Sequence, residues 1–299
     1  MRLHQEKSKS PTEAERQGFT MLEVTLVLAL TGLLLIGLLG GTAAAIQTQR
    51  YNDSVRSYAE YLRTVYSEVI NPSSLGLGNS SNKNAIEGGN YAIYGKVLVF
   101  GYNYGSGASN EDDTRSVYSA TLIGDANPPS ITVNGFVNEL AAVHTELFCG
   151  KRINGSEQAS TLSRYEPTWQ AELMQVNDSS HEPPLSINDR FKGTVIIARS
   201  PSSGAIHTIY TSKTYNLRDG CKSLEDSYAG QELKNDIAEF SQNPATASVK
   251  FYTEPVGFCI KSQNVSAGQY REVRIAEDGR NTSAISILNT DEDEQGRCR

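Results

Sequence analysis

A single carboxylate stands inside an apolar run. In Phe19-Thr20-Met21-Leu22-Glu23-Val24-Thr25-Leu26 the one charged side chain is Glu23. A lone carboxylate among aliphatic neighbours is a poor catalyst but a strong recruiter of cations. At the centre of a bilayer helix such a charge costs about 2.5–3.5 kcal/mol, and less near a helix end. Two readings follow: Glu23 lies at the headgroup level, or it meets a cation when the chain assembles. Gly18 comes immediately before the run.

Other residues that could do chemistry are fewer. Cys149, Cys221, Cys259 and Cys298 all follow the apolar run and contain no Cys-x-x-Cys pair, which argues against zinc and thioredoxin-type sites. An even number on an exported domain predicts one or two disulfides, with three complete pairings open, or free buried thiols instead. His144, His181 and His207 have no second histidine or carboxylate at ligand spacing, so neither a metal nor a catalytic role is expected. No Gly-x-Ser-x-Gly, P-loop or Ser-x-x-Lys pattern occurs. Asp291-Glu292-Asp293-Glu294 lacks the later bidentate glutamate of an EF-hand and reads as a solvated acidic tail. The expectation is therefore no enzyme, no cofactor and no metal.

The elements that position these residues begin with the apolar run. From Val24 to Ile46 there are 23 residues without a charge. As a helix they measure roughly 34 Å, enough for the roughly 30 Å hydrocarbon core of a bilayer. The run is too long for a signal-peptide core, although Thr42-Ala43-Ala44-Ala45 resembles a signal-peptidase site. Gly32, Gly37, Gly40 and Gly41 would allow close helix packing in lipid, or local unwinding outside it. From Gln47 to Ile70 the pattern turns amphipathic. Val55, Tyr58, Ala59, Leu62, Val65, Tyr66 and Val69 recur every three or four residues, with Arg56, Glu60, Arg63 and Glu68 between them. Asn71-Pro72 is the expected stop.

Beyond Pro72 the texture changes to a Gly/Asn/Ser-rich loop and then to short β-branched and aromatic runs. Strands are expected at Tyr91–Phe100, Val117–Ile123, Ile131–Val137, Thr194–Ala198, Ile206–Thr211, Val249–Tyr252, Phe258–Ile260, Glu272–Ile275 and Ala284–Leu288. The stretch from Leu140 to Pro184 reads as an insertion or second lobe. Fold class is thus α+β: a long N-terminal helix packed on an antiparallel, β-rich head. The boundaries are a leader over 1–18, a helix over 19–71 with a membrane part over 24–46, and an extracytoplasmic head over 72–299.

Gly18-Phe19-Thr20-Met21-Leu22-Glu23-Val24, with a polar leader before it and an apolar helix after it, resembles the cleavage and methylation motif of type IV prepilins and type II secretion pseudopilins. The resemblance implies a pilin-like fold and cleavage between Gly18 and Phe19 by a prepilin peptidase. It also implies N-methylation of Phe19, and pairing of Glu23 with the N-terminal amine of a neighbouring subunit. The implied partners are the peptidase, other pilin subunits, the inner-membrane assembly machinery and, before assembly, membrane lipid. A minor pilin, a secretion pseudopilin, and a tethered binding domain or enzyme on a plain signal anchor are the three functions left open.

Charge sets the orientation. The formal net charge is −7, and the chain after Gly18 carries 23 basic and 31 acidic residues. Lys7, Lys9 and Arg16 flank the apolar run on the leader side, which places the leader in the cytoplasm. The location implied is the cytoplasmic membrane, single-pass, and after processing a surface filament. An acidic body has no general attraction for nucleic acid, and none is expected as a partner.

Overall fold

A computed structural model describes residues 20–71, 91–101, 115–126, 133, 135–148, 152–153, 156–157, 162–174, 190–215, 217, 228–253, 255–262, 271–276, 282–289 and 298. The leader, Gly18, Phe19, Cys149, Cys221, His181 and the acidic tail at 291–294 lie outside these residues. The chain divides into two compact units, Met1–Gln47 and Thr48–Arg299.

The first helix, α1, runs Met21–Ile70. Its stop falls where Asn71-Pro72 predicts it. The last carbonyls, which no intrahelical N–H can reach, are taken by a side chain far along the chain. Arg199 Nη2 donates to Val69 O at 3.2 Å and to Ile70 O at 2.6 Å. A guanidinium there also complements the negative end of the helix dipole.

The second unit is α+β, and every ladder among its described residues is antiparallel. Its strands are β1 (Tyr91–Phe100), β2 (Val117–Asp125), β3 (Glu146–Phe148), β4 (Arg152–Ile153), β5 (Ser156–Glu157), β6 (Ser163–Tyr165), β7 (Ala171–Met174), β8 (Gly193–Arg199), β9 (Ile206–Thr211), β10 (Val256–Ser262), β11 (Arg271–Ile275) and β12 (Ile285–Asn289). One sheet has the order β3-β2-β1-β8-β9, with β6 also pairing β2. A second has the order β12-β11-β10-β7, and β4 pairs β5 separately. In β1 the register shifts between Ile93 and Gly95. A Cβ on Gly95 would lie 2.1 Å from the Ile197 carbonyl oxygen, so only glycine lets the two strands close there.

Among the described residues two α-helices interrupt the β-rich reading: α2 (Phe136–Ala142) and α3 (Tyr228–Gln242). The expected strand at Ile131–Val137 is corrected at its end, because Phe136 and Val137 open α2; residues 131, 132 and 134 lie outside the described ones. Gly135, at φ 99°, turns the chain, and Val137 and Leu140 then bury at helical spacing. The expected strand at Val249–Tyr252 is also corrected. Val249 and Phe251 bury alternately, as a strand would, but a single bridge from Tyr252 to Tyr210 is the pairing formed. Leu140–Pro184 contains the end of α2 and strands β3–β7 as far as it is described.

The larger sheet is buried on both faces. On one side Leu98, Phe100, Val195, Ile197 and Tyr210 join α1 residues Tyr51 to Val69 and the inner face of the second sheet in one core. On the other side Val97, Val99, Ile196 and Ile209 pack with Leu140 of α2 and with Leu233 and Ile237 of α3. Burial on both faces is why residues 97–100 of β1 and 195–198 of β8 read as apolar runs and not as alternating ones. Helix α3 is pinned by charge as well. Asp236 Oδ2 accepts 2.7 Å bonds from the Tyr215 hydroxyl and from Lys213 Nζ, and Lys213 also reaches Glu232 at 2.7 Å.

This core makes alkaline pH destabilising. Burial raises the phenol pKa of Tyr58, Tyr61, Tyr66 and Tyr215, and that of Tyr66 to about 12. The folded state then holds protons that the unfolded state, titrating near 10, has released. The stability is fully present below about pH 10 and falls as pH rises toward each folded value. Each such tyrosine removes up to about 1.4 kcal/mol per pH unit in that window. Urea midpoints measured from pH 8 to 11 should be flat to about pH 10 and then drop. Tyr66→Phe should blunt the drop.

Candidate functional site

The site is the N-terminal part of α1 and its single carboxylate. Its first turn is built by Thr20. The Glu23 backbone N–H donates to Thr20 O at 3.0 Å and to Thr20 Oγ1 at 3.3 Å, which makes Thr20 the N-cap and Glu23 the third helical residue. Thr-x-x-Glu is the spacing of a capping box, a signal the sequence carries and the prepilin reading passes over. Among the described residues the Glu23 carboxylate meets no hydrogen-bond donor or cation. It stands at the positive end of the helix dipole, worth about 0.3–1 kcal/mol at an exposed position. Its alternatives are thus concrete: local support for the helix start, or a free acceptor for a cation from elsewhere.

After Glu23 no charge follows before Arg50, and from Met21 to Arg50 every residue but the half-buried Gly32 is exposed. Leu33 is 69% exposed and Ile36 72%, values that make sense only if something other than water covers them. The threonine hydroxyls at 25, 31 and 42 satisfy themselves. Thr25 Oγ1 donates to Leu22 O at 2.9 Å, Thr31 Oγ1 to Val27 O at 2.9 Å, and Thr42 Oγ1 to Leu39 O at 3.1 Å. Hydroxyls folded back onto their own helix need no water, as hydrocarbon requires. The helix is long and apolar enough to cross a membrane or to serve as a signal anchor.

The expected seam at Tyr58, Leu62 and Tyr66 is fully buried. It is also stitched by polar contacts: Tyr51 Oη donates to Ile260 O at 3.0 Å, Ser57 and Tyr165 share a 3.2 Å bond, Tyr66 bonds Thr208, and Lys96 pairs with Glu68 at 3.2 Å.

Cys259 and Cys298 form a disulfide with Cα atoms 5.5 Å apart. His144 bonds Asp125 at 2.8 Å on the surface, and His207 stacks on Phe136. Among the described residues no group of three or more His, Cys, Asp or Glu could hold a metal ion. No family model, no curated protein and no solved structure matches this chain.

Proposed function

We propose that this chain is a type IV prepilin-like subunit, in the role of a minor pilin. It is cut after Gly18 by a prepilin peptidase, methylated on Phe19 and polymerised through its N-terminal helix by inner-membrane machinery. The observation that carries the reading is the pairing of Gly18-Phe19 with Glu23, a carboxylate without a partner among the described residues, followed by a helical stretch free of charge as far as Arg50. The amine created by cleavage would supply the missing cation on an adjacent copy, and each group would neutralise the other where neither can be hydrated. Supporting it, the same helix continues into a face buried in an antiparallel α+β unit, so that one element serves as anchor and as core wall. The proposed role is structural: contacts that do not close on themselves generate a filament.

The test is the N-terminal mass of the protein from native membranes and from sheared surface material. The expected species begins at methylated Phe19 and appears in both. A Glu23→Ala variant should still be cut and should stay in the membrane, with most of the surface fraction lost. A chain that keeps Met1, or one cut near Ala45, overturns the proposal in favour of a signal anchor or secreted domain.

A further inference from the structure

Trp169 is the chain's single tryptophan, and its surroundings are unusual in three ways. It is 52% exposed; outside the apolar part of α1, Val133 is the other large hydrophobic residue so exposed among those described. Its backbone sits at φ 56°, ψ 35°, in the left-handed region that a bulky side chain disfavours and that tends to persist where a position has a task. And the Arg50 guanidinium lies 4.8 Å from the centre of its ring, a cation–π pair.

Arg50 gives the location. It is the first charge after the apolar run and follows Ile46 by four residues, about 6 Å of helical rise. Its neighbour Tyr51 holds the carbonyl of Ile260, next to the point where Ser262 of β10 pairs with Ala171, two residues after Trp169. Two adjacent residues of α1 thus grip the same end of the smaller sheet. An indole with an apolar body and one N–H donor is the side chain that membrane–water interfaces collect, and a guanidinium pairs with phosphate through two parallel N–H bonds.

We infer that Trp169 and Arg50 form a phospholipid-interface contact: the indole enters the headgroup layer while Arg50 holds a lipid phosphate. The contact rests on the reading of residues 24–46 as a membrane span. An acidic chain of net charge −7 would otherwise be repelled by anionic lipid.

Because the chain has one tryptophan, its emission reports this position without any substitution. The full chain is placed in phosphatidylcholine–phosphatidylglycerol vesicles, with or without bromine on the upper acyl chain, and flotation is measured beside fluorescence. The expected result is co-flotation with most of the Trp169 emission quenched by the brominated lipid. Arg50→Glu, an exposed change, should still float but lose most of that quenching. Co-flotation with emission indifferent to bromine overturns the lipid contact, leaves the span standing and assigns the Trp169 face to a protein neighbour. Failure to float overturns the span and the contact together. Quenching that is unchanged in Arg50→Glu overturns the phosphate role of Arg50.

Discussion

Phe258→Ala is expected to destabilise the folded unit by about 3–5 kcal/mol, the cost of removing a large ring from a core that cannot collapse around the gap. Phe258 is fully buried, and three rings converge on it. Tyr58 of α1 meets it edge-on at 5.4 Å, Phe100 of β1 stacks at 5.1 Å, and Phe191 tilts against it at 4.7 Å. These partners belong to the helix, the larger sheet and the segment leading into β8, while Phe258 itself belongs to the smaller sheet. One side chain therefore joins every layer on this side of the fold, and no single layer can move in to fill its place. For a unit of this size the change should lower Tm by roughly 6–20 °C. Thermal unfolding of residues 48–299 would measure it. A shift below about 1 kcal/mol would mean that the layers are held together elsewhere.

Removing the Cys259–Cys298 bond should cost about 4 kcal/mol, the chain-entropy value for a loop closed over 39 residues. Cys259 lies in mid-strand, opposite Glu272 on one side and Met174 on the other, and Cys298 is 1% exposed. The bond thus ties the penultimate residue of the chain to the middle strands of the smaller sheet, and encloses β11 and β12 in its loop. In Cys259→Ala/Cys298→Ala the urea midpoint should fall, and β11 and β12 should lose hydrogen-exchange protection before β1 and β8 do. An unchanged midpoint would show that the sheet holds without its staple. Non-reducing peptide mapping should return the Cys259 and Cys298 peptides as one linked species.

What the sequence disclosed, and what it concealed, follows from how far each signal reaches along the chain. The helix and its stop are local: a charge-free run, a three-four spacing and a proline. Strands β1, β8 and β9 were equally plain, since burial on both faces leaves runs such as Val97-Leu98-Val99-Phe100 without polar interruption. Helix α3 was concealed because its apolar face is three residues wide, Leu233, Ile237 and Phe240, among lysine, asparagine and aspartate. Helix α2 was concealed because Phe136 and Val137 end a β-branched run, and the turn at Gly135 outweighs their strand preference. The Arg199 cap lies 129 residues from the carbonyl it satisfies, and the cysteine pairing is combinatorial, so neither has a local signature. At the candidate site the reverse holds. Glu23 was legible at once, as a charge in the wrong company, whereas Trp169 meant nothing until the fold brought it to Arg50.

One consequence concerns where this chain can be cut and survive. Nine residues of α1, from Tyr51 to Val69, are buried in the core of the second unit, whose boundary falls at Thr48. A protease acting near Gln47 would therefore leave the second unit with its helical wall in place. A protease acting after Asn71 would strip away the central wall of that fold, and the fragment would expose an apolar trough and be degraded. The two cuts are separated by the whole amphipathic part of α1. An intact second unit is thus obtained only by a cut in the short stretch between Ile46 and Tyr51.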